Sequence, residues 1–163
     1  MTMKKYLKKR IIPAGLSLIL IIMTVISIMP INVSAEDSLN VIEISSVNEL
    51  IEFANKCKYD SYSKDKIVKL TADIDVSGSD FKGISYFAGT FDGGSHIISG
   101  FNVDYKGSDF GFFRYIAESG FITNLNISGS INVTGSQKNI GGIAGVNKGV
   151  INESSFSGCL LYT

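Results

Sequence analysis

The chain has 163 residues, of which 15 are basic and 15 are acidic, and it contains two cysteines and one histidine. Five of the basic side chains and no acidic one lie in residues 1–35, so residues 36–163 carry 10 basic and 15 acidic side chains, a formal charge of −5. This acidic balance argues against the extended basic surface that a nucleic acid partner requires. The length suits one modest domain with one core.

Residues 1–35 have the pattern of a secretory signal peptide. A basic stretch over residues 4–10 precedes an uncharged apolar run over residues 11–29, and small residues at positions 33 and 35 suit signal peptidase. The run is about long enough to cross a bilayer, so an uncleaved anchor is the alternative. The two prolines near its ends and the Val-Ser-Ala site favour cleavage after Ala35. We expect a secreted or cell-surface protein that meets the membrane only through this segment.

Residues 36–66 predict a polar leader, a short strand and a capping helix. Residues 41–44 predict the strand, and Ser46 with Glu49 three positions later forms a capping box. Apolar side chains then recur at helical spacing, at Val47, Leu50, Ile51, Ala54 and Cys57. A one-sided helix of this kind would cover the open end of the β-structure that follows it.

Residues 67–163 contain one apolar unit in four copies. In the last copy, Val150 and Ile151 are followed by Ser154 and Phe156. The other three copies are Phe121, Ile122, Leu125 and Ile127, then Ile97, Ile98, Phe101 and Val103, then Leu70, Thr71, Ile74 and Val76. From the first copy to the last, successive copies are offset by 27, 24 and 29 residues. These offsets fall in the range of solenoids, whose coils stack and bury one another's apolar faces. We therefore predict an all-β solenoid of about four coils, with glycines at the corners.

Two stretches resemble a known repeat. Residues 141–158, Gly-Gly-Ile-Ala-Gly-Val-Asn-Lys-Gly-Val-Ile-Asn-Glu-Ser-Ser-Phe-Ser-Gly, resemble the GLUG motif, and residues 87–103 resemble the coil that commonly precedes it. The resemblance covers roughly residues 42–158 and depends on the glycine spacing. Such repeats occur in bacterial secreted and surface proteins, including the non-catalytic part of immunoglobulin A protease-type zinc metallopeptidases. The resemblance implies a right-handed parallel β-helix capped by the helix near Leu50. Glu153 departs from the usual asparagine, which argues against an asparagine ladder at the last coil.

The chemistry that the sequence offers is limited. His96 is the only histidine, so the His-Glu-x-x-His motif of a metallopeptidase is absent, and we expect His96 at a turn or in a second strand. Asp73 and Asp75 point outward from one strand and Asp92 lies at a corner, as the carboxylates of a carbohydrate-active lyase or hydrolase would. Their neighbours in other copies are glycine and asparagine, which favours a solvated face. We expect no catalytic, cofactor-binding or metal-binding residue.

These observations favour a non-enzymatic extracellular or cell-surface β-solenoid for display, spacing or adhesion, with the carbohydrate-active enzyme as the alternative. The expected partners are other domains of a longer surface protein, or host or cell-wall components. Residues 159–163 end without a closing helix or charged strand. We therefore expect repeats that are incomplete at the C-terminus, or a last coil that self-associates. Cys57 and Cys159 are predicted to be buried small residues, and the sequence leaves their pairing open.

Overall fold

A computed structural model describes residues 40–59, 61–135 and 139–162 of the chain. The predicted signal peptide, the cleavage site after Ala35 and the polar leader lie outside these ranges. Within them, no helix is long and apolar enough to span a membrane. The helix and strands follow one another as β1 (Val41–Ile44), α1 (Val47–Lys56), β2 (Ile67–Leu70), β3 (Ile74–Asp75), β4 (Ile84–Phe87), β5 (Thr90–Asp92), β6 (Ile97–Lys106), β7 (Phe113–Ile116), β8 (Phe121–Thr123), β9 (Asn126–Thr134), β10 (Ala144–Asn147), β11 (Val150–Asn152) and β12 (Ser155–Tyr162).

The strands form three parallel sheets, in which each strand pairs with the equivalent strand of the next coil. The five-stranded sheet has the order β1-β2-β5-β8-β11, the four-stranded sheet β12-β9-β6-β3, and the three-stranded sheet β10-β7-β4. Each full coil therefore contributes one strand to every sheet before the chain moves to the next coil. The predicted parallel β-helix of about four turns is confirmed.

The first coil contains a helix in place of two of its strands. Strand β1 pairs with β2, so the five-stranded sheet begins at Val41, before the repeats predicted from residue 67. The chain then forms α1 and returns to the same sheet as β2. Helix α1 contacts β4, the edge strand of the three-stranded sheet. The predicted capping helix therefore covers a sheet edge that would otherwise face water.

The sequence around α1 explains where the helix begins and which face it buries. The Ser46 hydroxyl accepts the Glu49 amide at 3.4 Å, as predicted, but the Glu49 carboxylate accepts the amide of Ser45 at 2.8 Å, one residue before the capping-box partner. Leu50 is fully buried and so is Phe53, which the predicted apolar stripe omitted. The Phe53 ring lies 6.2 Å from the Phe87 ring, centroid to centroid, edge to face. An aromatic contact thus joins the helix to the coil beneath it.

The predicted alignment of the last two copies is confirmed. Phe121 pairs with Val150, and Ile127 pairs with Phe156. The alignment of the second copy with its neighbours is wrong. It matched Ile98 with Thr71 and Ile122, whereas Ile98 pairs with Ile74 and Ile127. All four residues of the predicted second copy lie within β6, a ten-residue strand whose register shifts between Ile98 and Phe101. A single irregular strand of this length contains enough apolar side chains to match the pattern of the predicted repeat unit, which was expected to span two short strands.

The interior of the solenoid is a column of aromatic and branched side chains. Within the described residues, six phenylalanines are at most 2% exposed, namely Phe87, Phe91, Phe101, Phe110, Phe112 and Phe113. The core thins in the last coil, where Ile151, Phe156 and Leu160 are only partly buried. Each coil buries the apolar face of its neighbour, and within the described residues the last coil has a neighbour on only one side. Its apolar side chains are therefore less buried.

Candidate functional site on the outward carboxylates

Two of the three aspartates proposed for an enzyme, Asp73 and Asp75, are exposed, and both accept hydrogen bonds from neighbouring groups of the fold. Asp73 accepts the backbone amide of Ile97 at 3.0 Å and lies 3.1 Å from Nδ1 of His96. Asp75 accepts the amide of Ser77 at 2.9 Å. His96 also closes a turn, because its amide donates to the Gly93 carbonyl at 2.8 Å. The predicted turn position of His96 is therefore confirmed, and its ring ties one coil to the next.

Asp92, at the corner one coil later, has the same kind of surroundings. Its Oδ1 accepts the Gly94 amide at 3.0 Å and the side-chain amide of Asn124 at 3.1 Å. The first bond holds the turn, and the second spans from one coil to the next. The carboxylate is thus a hydrogen-bond acceptor within the structure.

Similar contacts between coils continue along the outer surface. Each joins side chains about one coil apart: Asn102 to Ser130, Asp104 to Asn132, Asp109 to Asn139 and Asn126 to Ser155. The bond lengths of the Asp104 and Asn126 pairs are 3.0 and 2.8 Å. Most partners in this ladder of hydrogen bonds between coils are neutral amides and hydroxyls. Salt therefore weakens these hydrogen bonds less than it would weaken ion pairs.

The acidity of the three aspartates follows from these contacts. The Ile97 amide, followed by His96, lowers the pKa of Asp73 below its usual value. The hydrogen bonds from Ser77 lower the pKa of Asp75. The Gly94 amide, followed by the Asn124 side chain, lowers the pKa of Asp92. A general acid for glycoside cleavage needs the opposite shift, because it must stay protonated near neutral pH.

At the last coil the ladder changes. Glu153 occupies the position equivalent to Asn124, and both adopt positive φ values, 46° for Glu153 and 52° for Asn124. Asparagine tolerates this left-handed conformation far better than glutamate does. The hydroxyl of the neighbouring Ser154 accepts the Leu125 amide at 3.1 Å.

The two cysteines differ from each other, and both are free thiols. Cys57 is buried as predicted, and burial raises its pKa to about 12, which keeps the thiol neutral and unreactive. Cys159 is exposed, so its predicted burial is wrong. The reason is its register, because Cys159 pairs with Ser130, and Ser130 lies over the polar side chain of Asn102 on the outer face.

An exposed apolar column crosses the outer face of the five-stranded sheet, and sequence reasoning missed it. Its members follow one another in register: Val41, Ile67, Thr90, Phe121 and Val150. Ile67, Phe121 and Val150 are 39%, 37% and 51% exposed. Every member except Thr90 is apolar, and each precedes an inward apolar residue. Most copies therefore show two apolar residues in a row, and the sequence does not reveal which of the two faces outward.

The described residues contain no group of three or more histidine, cysteine, aspartate or glutamate side chains that could hold a metal ion. Comparison with known proteins adds no assignment, since no family model, no curated protein and no solved structure matches the chain. The likeness to GLUG repeats therefore stays a prediction.

Proposed function

We propose that this protein is a non-enzymatic extracellular or cell-surface β-solenoid module, built from GLUG-like repeats, that serves display, spacing or adhesion. One observation carries the proposal. The carboxylates that an enzyme would use, at Asp73, Asp75 and Asp92, accept hydrogen bonds from their own turns and from neighbouring coils. They support the stack, and their lowered pKa values suit acceptors better than proton donors.

The surface of the solenoid supports a role in contact with other molecules. The apolar column on the five-stranded sheet runs along the stacking direction and stays partly exposed from coil to coil. Apolar surface of this kind is typical of places where proteins meet partners. Other domains of the same surface protein, or host or cell-wall components, are the partners we propose.

The proposal is tested by incubating purified protein with a panel of neutral and acidic polysaccharides and measuring hydrolysis and elimination. We expect no turnover. Turnover that disappears in Asp73→Asn or Asp75→Asn would establish the carbohydrate-active alternative in its place. Glu118→Gln, which changes an exposed carboxylate outside these contacts, is the control.

The proposed extracellular or cell-surface location is supported by the basic and apolar pattern of residues 1–35. Mass spectrometry of the secreted protein should find Glu36 as its first residue. Recovery of the chain in a membrane fraction with Met1 retained would contradict export and cleavage.

A further inference from the structure

A small groove lies between the end of α1 and the strands of the three-stranded sheet. Its volume is about 210 Å³. Polar side chains reach it from separate parts of the chain, namely Asn55, Lys58, Asp80, Lys82, Ser85 and Arg114. Ile51 and Phe81 add an apolar wall. The groove thus combines cations, hydrogen-bonding groups and an apolar surface in one concave place.

The charge of the groove contrasts with that of the domain. Three cations, Lys58, Lys82 and Arg114, line it together with one carboxylate, Asp80. None of the three is in an ion pair, since the ion pairs of the described residues are Lys56 with Glu52 and His96 with Asp73. An acidic domain therefore presents a local excess of unpaired positive charge, which attracts an anionic ligand.

Arg114 is the best placed of these cations. Its Nη2 donates to the Tyr105 hydroxyl at 3.2 Å, and its guanidinium lies 5.5 Å from the centre of the Tyr105 ring. These contacts restrain the long side chain and use one of its five donors. The remaining donors keep the fork geometry that matches a carboxylate.

We propose that this groove binds an acidic sugar unit, a uronic acid within a polysaccharide or at its end. The sugar carboxylate faces Lys82 and Arg114, and the sugar hydroxyls bind Asp80, Asn55 and Ser85. Asp80 favours this ligand over phosphate or sulfate, because a carboxylate accepts hydrogen bonds from the several hydroxyls of a sugar, whereas sulfate has no hydroxyl and the phosphate ion has at most two. The groove is smaller than typical pockets of roughly 300–1,000 Å³, which limits it to one small unit.

The binding site is separate from the outward carboxylates, so this proposal does not depend on the absence of catalysis. Its test is an NMR titration of the purified protein with glucuronate, with glucose and inorganic phosphate as comparison ligands. A ligand of this size at a partly open site is expected to bind with a Kd on the order of 1 mM. Glucuronate should shift the backbone amides of Asn55, Lys82 and Ser85, and glucose should not.

Lys82→Gln is the decisive variant, because Lys82 is exposed, so we expect the fold to tolerate its replacement. It should weaken glucuronate binding roughly fivefold, the scale of one exposed charge pair. Lys106→Gln, which removes an exposed lysine outside the groove, should leave the Kd unchanged. Three results would overturn the proposal: no shifts in the groove at millimolar glucuronate, equal or tighter binding of phosphate, or equal weakening by the two variants.

Discussion

Asn124 donates its side-chain amide to the carboxylate of Asp92, one coil earlier in the stack, at 3.1 Å. The same carboxylate oxygen accepts the Gly94 amide at 3.0 Å. One aspartate thus stabilises a tight turn and the contact between two coils. Both donors favour the ionised form, which explains the lowered pKa of Asp92.

This arrangement predicts a pH dependence of stability. Because the pKa of Asp92 is lower in the folded state than in the unfolded chain, its stabilising effect is complete above about pH 4 and is lost as the pH falls through the folded value. Asp92→Asn should therefore lose less stability than the wild type between pH 7 and pH 3. The difference should stay under about 1 kcal/mol, since solvent still screens a group that is only partly buried.

Urea unfolding at both pH values measures this difference. Glu118→Gln removes an exposed carboxylate for which no such contact is found in the described residues, so it should keep the wild-type pH dependence. If Asp92→Asn also kept the wild-type pH dependence, the bonds to Gly94 and Asn124 would not favour ionisation.

The cap is predicted to be part of the cooperative fold. Leu50, on the inner face of α1, is fully buried, so Leu50→Ala should lower the free energy of unfolding by about 2–5 kcal/mol. Glu52→Ala on the outer face removes only an exposed ion pair with Lys56 and should cost at most about 0.5 kcal/mol. Denaturant unfolding compares the two. An unchanged midpoint for Leu50→Ala would mean that the helix folds apart from the coils.

The strained backbone at the last coil offers a stabilising change. Glu153 has φ 46°, in the left-handed region that asparagine tolerates at the equivalent Asn124. Glu153→Asn should raise the free energy of unfolding by about 1 kcal/mol. The same replacement at Glu118, which does not have a positive φ, should change it by less than about 0.5 kcal/mol. Equal effects of the two variants would show that the gain has nothing to do with φ.

The outermost strand of the four-stranded sheet predicts self-association of the 163-residue chain. Among the described residues, strand β12 pairs with β9 on one side only, and Leu161 on it is 49% exposed. An unpaired apolar edge promotes pairing with a second chain. Sedimentation should show association that weakens in Leu161→Lys. Ile97→Lys replaces an equally exposed residue, 47%, away from this edge, so it should have no effect. A monomeric wild type, or equal effects of both variants, would contradict the prediction.

The sequence predicted those features that local patterns encode. Glycine spacing and paired apolar residues placed the last two coils in register, and the spacing from Val47 to Cys57 predicted the helix. The first two copies failed because β3 has two residues and β6 has ten, so equivalent coils differ in the length of their strands. The contact of Asp73 with His96 and that of Asp92 with Asn124 join residues 23 and 32 positions apart, and no local pattern marks them. The groove around Arg114 was missed for the same reason.

The most direct test of the account is a titration of the side-chain carboxyl groups of Asp73, Asp75 and Asp92 by NMR. If these groups are ionised acceptors that support the stack, all three should titrate below the usual aspartate pKa of about 3.9. A pKa of any of the three raised to about 6, as in a general acid, would contradict the account and favour the enzyme.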